Sequence, residues 1–103
     1  MDEDVKVRKE DSPSGGRYVA TVRGIDGQGE MTYSAAGATM WIVDHTAVDD
    51  ALRGRGIGVV LANAMVEDAR AAGIKLMPLC PFFRSQIPKH EEWWDVLDNP
   101  PRR

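Results

Sequence analysis

The chain holds a single cysteine, Cys80, among 103 residues, so no disulfide can close within it and no all-cysteine metal site can form. One free thiol suits a reducing compartment. The two histidines, His45 and His90, stand at spacings unrelated to that cysteine and match no metal-binding pattern. No apolar run approaches the roughly 20 residues that cross a bilayer. The opening residues, Met1-Asp2-Glu3-Asp4, are acidic and lack the basic start and apolar stretch of a signal peptide. An excess of positive charge is missing too: 13 Lys and Arg against 16 Asp and Glu leave a net charge of -3. Non-specific nucleic-acid binding needs a broad basic surface, and the terminal pair Arg102-Arg103 does not make one. These absences point to a cytoplasmic protein with no metal, membrane or nucleic-acid partner.

What remains is an ordinary globular composition, 43% hydrophobic and 28% charged. The length allows one domain and not two with separate cores, so residues 1–103 are expected to form a single unit, with 1–4 flexible and 98–103 a tail. The first half reads as short strands. Val5-Lys6-Val7 alternates before the turn formers Asp11-Ser12-Pro13-Ser14-Gly15-Gly16. Residues 18–22 follow and are closed by residues 24–29, where Asp26-Gly27 is a common hairpin turn pair. Met31-Thr32-Tyr33 and residues 39–43 complete four strands. Turns this tight cannot join parallel strands, so an antiparallel meander is expected. The fourth strand alternates least, which predicts a strand covered on both faces.

From Gly58 the period changes. Leu61, Ala62, Met65, Ala69 and Ala72 recur at helical spacing, and Gly73 stands where a left-handed cap belongs. Residues 74–79 read as a fifth strand. Pro81 opens a short helix through Ile87, which Pro88 ends. A last helical turn or two carries Trp93, Trp94, Val96 and Leu97 before Pro100-Pro101. Such a pair of tryptophans has one ring in the core and one at an edge, and Trp41 and Phe82 read as core. Glu91-Glu92 reads as a helix start. The fold class is therefore α+β, a sheet with a helix packed on it.

The informative feature lies at the change of period. A strand through residues 43–48 leads, after a short polar link, into Arg53-Gly54-Arg55-Gly56-Ile57-Gly58, which opens the helix. Free amides at a helix start attract anions, glycines let a phosphate approach them, and arginines add charged donors at the rim. The loop has neither the lysine-hydroxyl end of a P-loop nor the three-glycine pattern of dinucleotide folds.

Arg53-x-x-Gly56-x-Gly58 resembles the Arg/Gln-x-x-Gly-x-Gly/Ala signature of the GNAT N-acetyltransferase superfamily. His45-Thr46-Ala47-Val48, the loop, Pro78-Leu79-Cys80-Pro81-Phe82 and Lys89-His90 together are similar to a small single-domain GNAT-like branch that lacks the first helices of the full fold. The resemblance implies a fifth strand parallel to the fourth and splayed from it, with short helices after it. It also implies a coenzyme A thioester in the gap, acetyl-CoA being the expected acyl donor. Pantetheine would run along the backbone of Thr46, Ala47 and Val48. The pyrophosphate would lie on the amides of Arg53, Gly54, Arg55, Gly56, Ile57 and Gly58. Transfer in the superfamily is usually direct, from thioester to amine.

Two departures stand out. Superfamily members often place a tyrosine after the fifth strand to protonate the leaving thiolate, and here Tyr18 and Tyr33 fall only in early strands. The absent helices normally build part of the acceptor pocket, so the amine acceptor, small molecule or peptide, is left open. Cys80 reads either as a thiol beside the thioester, near a helix start, or as a buried small hydrophobe. His45 reads as the base that takes the amine proton or as a strand residue that ties down a turn. His90 reads as a surface or cap residue. The expected function is an acyl-CoA-dependent N-acyltransferase with Cys80 and His45 as its chemical groups. The alternatives are a non-catalytic acyl-CoA-binding or sensing module, and an interaction module that kept only the fold.

Overall fold

The computed structural model describes residues 4–101. The acidic start at residues 1–3 and the arginines at 102 and 103 lie outside the described residues. Five strands, β1 (Val5–Ser12), β2 (Gly15–Val22), β3 (Ile25–Ala35), β4 (Met40–Val48) and β5 (Lys75–Pro78), form one sheet in sequential order. The first four pair antiparallel as expected, and β5 joins β4 in parallel. Helix α1 (Ile57–Ala72) makes the crossover between them, and α2 (Pro81–Gln86) follows β5. Short 3-10 turns at Asp50–Leu52, Ile87–Lys89 and Glu91–Val96 complete the order.

The strands run longer than their alternation suggests. Asp11, Ser12, Gly15 and Gly16 all pair, and only Pro13 and Ser14 turn between β1 and β2. Gly15 allows this because its φ is +151° and a side chain there would strike the Tyr33 carbonyl. The next reversal is at Arg23 and Gly24, with Val22 facing Ile25, so Asp26 and Gly27 belong to β3 and do not make the hairpin turn. Asp49 explains their place: its Oδ2 accepts the Gln28 amide at 2.8 Å.

One sheet face is apolar. Tyr18, Ala20, Val22, Met31, Tyr33 and Val43 pack in one cluster with Leu61, Ala62, Met65, Phe83 and Trp93 from the helical layer. Each large side chain buried there contributes roughly 1.5–3 kcal/mol. The other face is polar. Arg8 bonds Glu10 at 2.9 Å, Arg17 bonds Glu10 at 2.7 Å and Glu30 at 2.6 Å, and Ser34 donates to Asp44 at 2.6 Å. The cover expected on both faces of the fourth strand holds only in part over its predicted span, where Met40, Trp41 and Ile42 are half-buried and Val43 is buried, and it ends beyond that span, where Asp44, His45 and Ala47 are exposed. Just past that span lies a β-bulge. Thr32 pairs with His45 but Tyr33 pairs with Val43, which leaves Asp44 as an extra residue.

Helix α1 starts one residue earlier than its pattern suggests, at Ile57, behind a left-handed Gly56, and ends at a left-handed Gly73. There Ile74 donates to the Ala69 carbonyl at 2.8 Å, which closes the helix end. The C-terminal segment then packs back on α1. Trp93 is fully buried, donates to Asn63 at 2.7 Å and stacks on Phe83 at 5.4 Å, while Trp94 is only partly buried. Leu97 bridges to Leu76, so the outer edge of β5 is covered by the chain's own tail.

Candidate active site

β4 and β5 stay paired only as far as Val43 and Pro78. Beyond that point the amides of Leu79 and Cys80 both turn onto the Val43 carbonyl, at 3.1 and 2.8 Å. The strands therefore part, and no strand among the described residues pairs with the β5-facing edge of residues 44–48. This is the splay expected from the resemblance, and its physical cause is the change of direction at Leu79-Cys80-Pro81, where α2 begins.

The glycine loop faces the mouth of this gap. Val48, Leu52, Arg53, Gly56, Gly58 and Phe82 line a cleft of about 230 Å³. Leu52 is fully buried and anchors the loop below. Gly54 and Gly56 adopt left-handed conformations, φ +80° and +71°, that L side chains rarely take. A Cβ at either position would meet open space among the described residues. The first amides of α1 have no carbonyl partner within the helix. The loop is thus shaped to let an anion reach them. Arg53 is exposed and pairs with Asp50 at 3.0 Å. Gly58 has a different task. A Cβ there would lie 2.5 Å from the Phe82 ring, so this glycine lets α2 pack against the first turn of α1.

At the closed end of the gap lies Cys80. It is buried, and its Sγ is 3.1 Å from the Thr46 Oγ1. Thr46 faces inward with buried Met31, its register partner. His45 is exposed on the opposite face, where the Thr32 hydroxyl meets its carbonyl at 3.5 Å. Thus Thr46 and Cys80 come together, and His45 does not join them. Ala47 is exposed and Val48 lines the cleft, so residues 46–48 border the gap as a strand edge.

The model of the GCN5-related N-acetyl-transferase family matches residues 17–96. The chain belongs to the GCN5-related N-acetyltransferase family. A solution structure of a GCN5-like protein from Staphylococcus aureus has a TM-score of 0.64 and 26% identity, covering 87% of this chain and 86% of that one. The aminoglycoside N-acetyltransferase AAC(6')-Iy, solved in complex with CoA, has a TM-score of 0.59 over 100% of this chain and 93% of that one. At 10% identity it speaks for the fold alone. A search of curated proteins found no match.

Within this GCN5-related fold two features escaped the sequence. Phe82 reads as core but is a wall of the cleft, and the only sign of it is a helix-start glycine awaiting a partner. The Thr46 side chain has a partner of its own, which needs the bulge to be seen. His90 stacks on Trp93 at 4.2 Å and bonds Glu92 at 2.8 Å, which makes it part of the tail's packing. Among the described residues no cluster of side chains could hold a metal ion, and no helix is long and apolar enough to cross a membrane.

Proposed function

We propose that the chain is an acyl-CoA-dependent N-acyltransferase that uses acetyl-CoA and transfers the acyl group directly to an amine. The observation that carries this reading is the parting of β4 from β5 beside the glycine loop, with Cys80 at the closed end. The open space above Gly54 and Gly56 fits a pyrophosphate on the amides of residues 53–58, with Arg53 and Arg55 adding charge. The free edge of Thr46, Ala47 and Val48 offers backbone groups to pantetheine. His45, on the open face, takes the proton of the attacking amine, directly or through water. Cys80 gives its proton to the departing thiolate, the task for which no tyrosine follows β5. The same reading takes residues 1–103 as one domain working in the reducing cytoplasm.

Calorimetric titration with acetyl-CoA tests it, repeated with Gly56→Glu and Arg53→Ala. Binding by the native chain that is lost in the first variant and weakened in the second is expected. No binding by the native chain sinks the assignment. A second reading has its own support: Cys80 is buried and lies on the other side of the sheet from His45. That separation suits a module that binds acyl-CoA without turnover. An amine screen that shows binding but no thiol release would favour it. An interaction module that kept only the fold predicts that neither variant changes anything.

A further inference from the structure

One side-chain contact joins the two strands after their backbone pairing has ended. Thr46 Oγ1 and Cys80 Sγ lie 3.1 Å apart, each beyond the last rung at Val43 and Pro78. The Asp44 bulge decides that this contact exists. In an unbroken strand with Val43 inward, Thr46 would point to the opposite face. The extra residue turns Thr46 inward beside buried Met31 and sends His45 out. The contact also has a ligand-shaped neighbour. It closes one end of a gap whose β4 edge pairs with no strand among the described residues and whose mouth is the open glycine loop.

We propose that Thr46 is a positioning residue for Cys80: its hydroxyl, carried inward by the bulge, holds the sulfur at the closed end of the gap and donates to it once the thiol proton has left. The proposal rests on the acyltransferase reading above. In the step it serves, the Cys80 S–H bond breaks and an S–H bond forms on the departing thiolate. The charge stays on Cys80 Sγ, and Thr46 keeps its own proton while donating the hydrogen bond. The proton released by the amine returns to Cys80 through solvent, so protons balance and nothing is oxidised or reduced. A threonine hydroxyl can serve the thiol as acceptor and the thiolate as donor, and valine has the same shape and can do neither.

The test uses the full chain, in which Cys80 is the only thiol. The rate of Cys80 modification by methyl methanethiosulfonate is measured at one fixed pH, without coenzyme, for the native chain, Thr46→Ser and Thr46→Val. A charge-assisted hydrogen bond lost to the thiolate predicts about a tenfold slower reaction in Thr46→Val, with Thr46→Ser close to native. In turnover with acetyl-CoA, kcat should fall about as much in Thr46→Val, while KM for acetyl-CoA stays near native. Modification of Thr46→Val at or above the native rate overturns the proposal, and so does a Thr46→Ser as slow as Thr46→Val. If Thr46→Val fails to fold by circular dichroism, Thr46→Ala takes its place with the same expectations. Because the thiol readout needs no coenzyme, a chain without transferase activity would sink the acyltransferase reading and leave the Thr46 result to stand or fall separately.

Discussion

Gly58 shows how a motif residue can answer to packing. Replacing it by alanine favours the helix by about 1 kcal/mol, but the new Cβ would sit 2.5 and 2.7 Å from two atoms of the Phe82 ring. Overpacking of this kind costs about 1–3 kcal/mol. Gly58→Ala is therefore expected to lose stability in urea, by about 1 kcal/mol net. The loss should vanish when Phe82→Ala is present, giving a coupling of at least about 0.5 kcal/mol in a double-mutant cycle. Additive effects would show that the ring yields freely. Lys9 is a second case. Its ammonium lies 4.9 Å from the Trp41 ring centre, 5.6 Å from Tyr18, 5.9 Å from Tyr33 and 3.8 Å from the Asp68 carboxylate. Lys9→Met keeps the stem and removes the charge, so a loss of about 1 kcal/mol of unfolding free energy is expected, read as a lower denaturant midpoint. Neither role is legible in sequence, because each needs partners from strands and helices far along the chain.

At the scale of elements, the last 3-10 turn is held by a clamp. The Arg70 guanidinium donates to both Asp95 oxygens, at 2.8 and 2.7 Å, and Lys75 donates to the Asp95 carbonyl at 2.7 Å. The turn is thereby tied to both α1 and β5. The hydrogen bond from Arg70 holds the Asp95 carboxyl below its usual range. A carboxyl whose folded value lies below its unfolded one stabilises fully above the unfolded value, about 4, and loses that contribution as pH falls through the folded value. Acidification below about pH 4 should therefore loosen the tail, read as a change in Trp93 and Trp94 fluorescence ahead of the loss of far-ultraviolet circular dichroism. Asp95→Asn should already show the loosened signal at neutral pH. If the acid step is unchanged in that variant, another carboxylate carries it, such as Glu92, which its bond to His90 also holds low. The helix that the clamp grips was legible from Leu61, Met65 and Ala69 and from Gly73. The clamp was not, since Arg70 and Asp95 look like ordinary surface charges until the tail folds back.

Across the whole molecule, one sheet face carries the helices and the other a ladder of charges from Arg8 through Glu10 and Arg17 to Glu30. Such exposed pairs are screened by solvent and contribute little, so the fold depends mainly on the helical side. The gap between β4 and β5 cuts through the sheet between the two faces, and filling it should stabilise the whole. At acetyl-CoA about 100 times its Kd, the native chain should gain about 2.7 kcal/mol of stability, a rise in Tm of about 10 °C or more for a domain of this size. Gly56→Glu should show no such rise, because a side chain would occupy the open space above a left-handed residue. A shift that survives in this variant would place the ligand elsewhere.

The sequence alone determined the order of strand, glycine loop, helix and strand, because periodicity and turn chemistry are local properties of the chain, and the family followed from the resemblance carried by Arg53-x-x-Gly56-x-Gly58 and its flanking segments. The left-handed turn at Gly54 and Gly56 was legible for the same reason. Only the tertiary structure decided strand register, the bulge at Asp44, and the partner each site residue finds. Register depends on pairing between distant segments, and one inserted residue reverses every side chain that follows it. That single residue brings Thr46 to Cys80 and leaves His45 on the open face, an outcome that no spacing along β4 foretells.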